Sequence, residues 1–159
     1  MTYVPVQVTE PYDWPALLAL IQTEFAYMEG RIDPPSSMGL LTAGTIAAQA
    51  GSGEVWVIEH HGLPVACVFL TPRPDALYIG KLAVTARHRG KNLARTLVDQ
   101  AENRARALNL AYLELQTRVE LTENHAVFTR LGFAKIAETA HSGYDRPTSI
   151  TMRRAVNPS

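Results

Sequence analysis

Between Leu77 and Leu110 the chain holds a strand-like segment (Leu77 to Val84), a basic turn (Arg87-His88-Arg89-Gly90-Lys91-Asn92) and a long helical pattern. Apolar residues at Leu93, Leu97, Ala101 and Ala105, with Ala94 and Val98, repeat at three- and four-residue spacing, so the helix has one apolar stripe to set against a sheet. A strand that feeds a helix through such a turn constrains the fold, because the first N–H groups of the helix lack intrahelical partners and the helix dipole favours an anion there. Arg87, Arg89, Lys91 and Arg95 add positive charge, and Gly90 lets a ligand approach the backbone. A phosphate-bearing ligand is expected. A P-loop is excluded because Gly90-Lys91 is followed by Asn92, with no hydroxyl for a magnesium ion. A Rossmann fingerprint is excluded because only one of its three glycines is present.

At 159 residues the chain suits one well-buried core, and residues 1–159 are read as a single domain. With 47% hydrophobic and 19% charged residues it falls in the globular class. Lys+Arg and Asp+Glu are each 15, so there is no global field to draw nucleic acid or an anionic membrane, and neither partner is expected. The longest apolar run, around Val65 to Leu70, is far short of the roughly 20 residues that span a bilayer. Met1 to Pro5 lacks a basic region followed by an apolar one, so no signal peptide is expected. A lone Cys67 in a strand-like run fits core packing and a reducing cytoplasm.

In chain order, Val4 to Val8 read as a strand. Asp13 and Pro15 open an amphipathic helix that runs toward Gly30. Arg31 to Gly39 is a proline-stiffened loop, either a connector or a binding wall, and Thr42 caps a short helix. Glu54–Glu59 and Leu63–Leu70 form a hairpin across His60-His61-Gly62. Those histidines, as strand neighbours, point to opposite faces and cannot share a metal ion, so no metal is expected. Ala111 to Thr117 alternates as a strand and completes a right-handed parallel unit with the Leu77 strand. A short helix follows Thr122 and ends at Gly132. Phe133–Glu138 and Ser149–Arg153 are the last strands.

The run Arg89-Gly90-Lys91-Asn92-Leu93-Ala94 resembles the coenzyme A turn of the Gcn5-related N-acetyltransferases, Gln/Arg-x-x-Gly-x-Gly/Ala. Asn92 stands where the pattern has its first glycine, and Asn is the next most permissive residue for positive φ. Asn124 ahead of an aromatic, the Leu131-Gly132-Phe133 exit and the element order over residues 3 to 155 match the same family. The resemblance implies an α/β (α+β) fold with a mixed, mostly antiparallel sheet whose parallel fourth and fifth strands splay apart. It also implies acetyl-CoA as cosubstrate. The pantetheine arm would lie on main-chain groups of Leu82, Ala83 and Val84. The pyrophosphate would lie on the amides of Gly90, Lys91, Asn92, Leu93 and Ala94, with Arg89 and Arg95 adding charge-assisted bonds. Asn124 and Phe128 would flank the arm.

The expected reaction is direct acetyl transfer to a primary amine of a small molecule or peptide in a ternary complex. Relatives often carry a tyrosine acid where this chain has Phe128, so Tyr144 is the replacement, with Tyr78 behind it. Glu114 is the candidate base, His125 and His141 are further ones, and a water chain is the alternative. Glu114 equally suits a polar position facing solvent. Arg31, Asp33, Ser36 and Arg146, in loops 31–37 and 141–147, are the candidate acceptor-binding residues, with the arginines suited to a carboxylate. The competing readings are a non-catalytic coenzyme A-binding module that acts through a protein partner and a nucleotide-phosphate-binding protein. The family leaves room for a homodimer.

Overall fold

The computed structural model describes residues 3–158; residues 1, 2 and 159 of the expected domain lie outside the described residues. Seven strands form one sheet: β1 (Val6–Gln7), β2 (Glu54–His60), β3 (Leu63–Pro72), β4 (Ala76–Val84), β5 (Tyr112–Arg118), β6 (Ala134–Thr139) and β7 (Ser149–Ala155). Their order is β1-β2-β3-β4-β5-β7-β6, antiparallel throughout except for the parallel β4–β5 pair. The helices are α1 (Trp14–Phe25), α2 (Ala43–Ser52), α3 (Leu93–Ala107) and α4 (Thr122–Arg130).

The two faces of the sheet hold separate cores. Leu93, Leu97, Val98, Ala101 and Ala105 of α3 pack on Ile58, Val68, Leu77, Ile79, Leu113 and Leu115. Residues of α1 and α2, among them Leu17, Ile21 and Ile46, pack on Val55, Val57, Cys67, Phe69 and Ala83. Each buried leucine or isoleucine contributes about 1.5–3 kcal/mol. Local chemistry fixes the helix starts as the sequence implies. Asp13 accepts from the Ala16 N–H with Pro15 in the first turn, and Thr42 forms a capping box with Thr45. Among the described residues no helix is long and apolar enough to cross a membrane.

One irregularity of the sheet, between β3 and β4, shapes the candidate site. Phe69 pairs with Gly80 and Cys67 with Ala83, so Val68 of β3 is opposed by both Lys81 and Leu82 of β4. Lys81 is the extra residue of this bulge, at φ 49°. Ile79 and Leu82 on either side of it still face the α3 core, and Ala83 faces the α1–α2 core. A bulge bends its strand, and β4 pairs with β5 only over Ala76–Tyr78 against Tyr112–Glu114. Beyond Glu114, β5 keeps only its β7 partner, down to Arg118 against Ser149, and a cleft opens between the two parallel strands.

Candidate active site

The basic turn forms a phosphate-sized hollow. Gly90 and Asn92 adopt φ 80° and 62°, left-handed conformations that glycine and asparagine tolerate best. Asn92 gives α3 no side-chain cap, and its carbonyl is taken by Thr96 at 2.9 Å from the main-chain N–H and 2.9 Å from the hydroxyl. The N–H groups of Leu93, Ala94 and Arg95 therefore face out of the helix end without an earlier carbonyl to bond. In front of them is a hollow of about 340 Å³ lined by Gly90, Asn92, Arg95 and Val84 on one side and by Val127, Arg130 and Leu131 on the other. Arg95 reaches the Arg130 carbonyl at 3.4 Å. An open helix end beside two arginines fits a pyrophosphate. Arg130 carries no signal in the linear motif, because α4 delivers it from 35 residues downstream of Arg95.

Arg89, expected at this hollow, is placed elsewhere. Its guanidinium is 2.7 Å from Glu24 of α1, whose side chain is only 11% exposed, and Arg89 does not line the hollow. The nearest carboxylate captures it, which is a tertiary event that the motif cannot encode. Lys91 is exposed and likewise absent from the lining.

Following β4 and α4 past this hollow, the β4–β5 gap encloses a second space of about 340 Å³. Its walls are Tyr78 to Leu82 and Leu115 to Arg118, with Asn124 and Phe128 from α4 and Met28 and Met38 from the α1 side. Leu82 lines this cleft and Val84 the phosphate hollow, while the Ala83 side chain turns into the α1–α2 core. The β5-facing main chain from Ile79 to Val84 has no strand partner, which leaves it open to an extended ligand arm. The amide of Asn124 donates to the Tyr27 hydroxyl at 2.9 Å. Phe128 stands edge-on to Phe133 with ring centroids 6.1 Å apart and has no proton to give.

The two expected catalytic residues are not in this cleft. Glu114 is buried at the closed end of the β4–β5 pair, opposite Tyr78, with Arg153 Nε on one oxygen at 2.8 Å and Arg73 Nη1 on the other at 3.1 Å. Each oxygen is thus engaged by a guanidinium, and Glu114 does not line the cleft, so its place is that of an ion pair. Glu114→Gln is expected to lower the melting temperature, at a cost of about 3 kcal/mol for breaking a buried pair. The acidic limb of the kcat profile should persist; its disappearance would restore Glu114 as the base. Tyr144 lies on the rim, with its hydroxyl donating to Asp33 Oδ1 at 2.6 Å, and that bond is the main reason its pKa is raised. The tyrosine that lines the cleft is Tyr78, under the Arg73 guanidinium at 3.9 Å, its pKa raised chiefly by burial. His125 Nε2 is held at 2.8 Å from the Arg118 carbonyl, and His141 sits at the cleft mouth beside the Thr148 hydroxyl.

The expected acceptor residues form a latched rim. Arg31 donates to both oxygens of Glu123 at 2.9 Å, and Arg146 pairs with Asp33 at 3.1 Å. Ser36 lines the cleft, and its hydroxyl accepts from the Met38 N–H at 3.1 Å. Both arginines are thus answered within the chain, contrary to the expectation that they await a carboxylate. Among the described residues the cations that do line the cleft are Lys81 and Arg118, neither of which carries a signal in the sequence pattern. An isolated glycine inside a strand, Gly80, is the signal that marks the bulge beside Lys81.

The His60 and His61 rings do not point to opposite faces. His61 sits in the hairpin turn at φ 53°, which brings the ring centroids to 4.0 Å, and His88 adds a third ring 5.3 Å from His60. Among the described residues no group of three His, Cys, Asp or Glu is arranged to hold a metal ion.

The family model described as acetyltransferase (GNAT) family matches residues 14–133. No curated protein matches the chain. Among solved structures, an acetyltransferase of the GNAT family from Staphylococcus aureus superposes with a TM-score of 0.75 at 15% identity, over 98% of this chain and 100% of that one. The ribosomal-protein-S18-alanine N-acetyltransferase from Escherichia coli gives 0.71 at 18% identity, over 98% and 94%. A GNAT family acetyltransferase from Elizabethkingia anophelis with acetyl-CoA bound gives 0.68 at 14% identity, over 96% and 97%.

Proposed function

This chain belongs to the acetyltransferase (GNAT) family, and from that premise we propose that it moves the acetyl group of acetyl-CoA to a primary amine of a small molecule or peptide, directly and within a ternary complex. The observation that carries this reading is the succession along β4 and α4 of an uncapped helix end and an open strand gap. Acetyl-CoA supplies the activated acetyl group. The amides of Leu93, Ala94 and Arg95, with the Arg95 and Arg130 side chains, hold its pyrophosphate, and the unpaired main chain of Leu82 and Val84 holds the arm beside Asn124.

The amine enters from the α1 side, past Met28 and Met38. It must shed a proton before its nitrogen can attack; among the described residues no carboxylate lines the cleft and the His141 ring at its mouth is held by the Thr148 hydroxyl, so water takes that proton. A main-chain N–H near Leu82 is the donor available to the acetyl oxygen. The departing sulfur takes a proton from the Tyr78 hydroxyl, which solvent restores. Burial raises the Tyr78 pKa above its usual value, so the hydroxyl keeps its proton throughout the neutral range. A thiol pKa of about 8.5 makes the thiolate a fair leaving group, so the acid is worth about 10²-fold at most. Tyr78→Phe is accordingly expected to lower kcat roughly 3- to 30-fold, and Tyr144→Phe to leave kcat unchanged. The opposite ranking would return the role to the rim tyrosine.

Initial-rate kinetics test the ternary complex. Double-reciprocal lines for acetyl-CoA at several amine concentrations should intersect. Parallel lines, with an acetylated protein found by mass spectrometry, would replace direct transfer by a covalent relay.

A further inference from the structure

Several arginines near the cleft and its rim are answered by an acid of the chain. Arg31 has Glu123, Arg146 has Asp33, Arg89 has Glu24, and Arg73 and Arg153 share Glu114. Among the described residues that line the cleft itself, Lys81 on the β4 wall and Arg118 on the β5 wall are the cations without such an acid. Lys81 Nζ donates to the neutral Gln49 amide oxygen at 3.0 Å and lies 5.1 Å from the centre of the Phe69 ring. Arg118 reaches only carbonyl oxygens, Pro34 at 2.7 Å and Pro35 at 3.4 Å. Among the described residues no aspartate or glutamate lines the cleft.

A half-buried lysine without a counter-ion is costly, and burial holds its pKa below the usual lysine value. Lys81 also occupies a left-handed backbone position, φ 49°, that a long side chain enters at a penalty. An unpaired, half-buried charge on a residue that lines a cleft points to an absent anion. The acceptor-side lining beyond these cations is apolar: Phe25, Met28, Ile32 and Met38.

We infer that the acceptor is an amine bearing its own carboxylate, of the class of α-amino acids with apolar side chains, whose carboxylate pairs with Lys81 across the cleft from Arg118. This specificity rests on the acetyl-transfer reading above. It also compensates for the missing base, because two cations near an ammonium group favour its neutral, nucleophilic form. Polyamines are disfavoured by the same charges.

The test uses a product pair that differs only in the carboxylate. The protein saturated with coenzyme A is titrated with N-acetyl-L-leucine and with N-isopentylacetamide, followed by thermal shift and calorimetry. N-acetyl-L-leucine is expected to bind about 10-fold tighter or better, in line with a charge-assisted bond. Lys81→Gln should erase the difference and Lys81→Arg should keep it. Equal affinities in the wild type, or a preference that survives Lys81→Gln, would overturn the assignment. Where Lys81→Gln does not melt cooperatively, the wild-type pair and Arg118→Gln decide, since loss of one cleft cation must reduce the preference. Failure of acetyl transfer reads differently: acetyl-CoA binds, yet neither leucine nor isopentylamine releases thiol, while carboxylate-dependent binding still stands.

Discussion

Ala94→Asp is expected to weaken acetyl-CoA about 100-fold, or ~3 kcal/mol, while the apo protein melts at the same temperature or slightly higher. Ala94 is the second residue of α3 and lines the phosphate hollow. A carboxylate there satisfies the open N–H groups and complements the helix dipole, for a gain of about 0.3–1 kcal/mol in stability. The same charge meets the ligand's phosphates in a site built for anions, where two like charges 4 Å apart repel by about 4 kcal/mol at an effective dielectric constant of 20. Stability and affinity thus move in opposite directions, which simple misfolding cannot produce. Ala94→Asn separates charge from size and should retain most of the affinity. Calorimetric titration with acetyl-CoA checks the pair, and an unchanged affinity in Ala94→Asp would remove the phosphate from the α3 terminus.

Deleting Lys81 should cost the protein its acetyl-CoA binding altogether and spare its fold. Without that residue Phe69–Gly80, Val68–Leu82 and Cys67–Ala83 form an unbroken ladder, and Ile79, Leu82, Ala83 and Val84 keep the faces they now have. The left-handed strain at φ 49° is relieved. β4 then loses the bend that parts it from β5 beyond Tyr78, and the strands close on the space the arm requires. The expected result is a cooperative melt near the wild-type temperature, with no calorimetric signal for acetyl-CoA at concentrations about 100 times the wild-type dissociation constant. Lys81→Gln, which keeps the bulge, should still bind. Wild-type affinity in the deletion variant would show that the bulge is not what opens the cleft.

The features legible in the sequence are those decided locally. The α3 stripe, the Asp13 and Thr42 caps and the strand alternation involve residues within one or two turns of each other, and Asn92 takes the positive φ its side chain tolerates. The parallel β4–β5 pair followed from the right-handed crossover, and the mixed sheet around it from the family resemblance. Glu114, Tyr144, Arg89 and the two rim arginines were each captured by a distant partner. Alternation puts Glu114 on a polar face of β5, but nothing in that strand says that Arg153, 39 residues on, will cover it. Tyr144 meets Asp33 across 111 residues, and Arg89 meets Glu24 across 65. The Lys81 bulge is a one-residue mismatch between β3 and β4, visible only once both strands are in register.

Acetyl transfer from acetyl-CoA to an amine is read from the stoichiometry of the two products. Purified protein is incubated with acetyl-CoA and leucine, thiol release is followed by a colorimetric reagent, and N-acetyl-leucine is quantified by mass spectrometry. One N-acetyl-leucine per thiol is expected, with no thiol above the buffer rate when leucine is withheld and far less in Ala94→Asp. Saturable acetyl-CoA binding with no acetylated product, from leucine or from any amine in a broad panel, would rule out acetyl transfer and leave the cleft a binding site without a reaction.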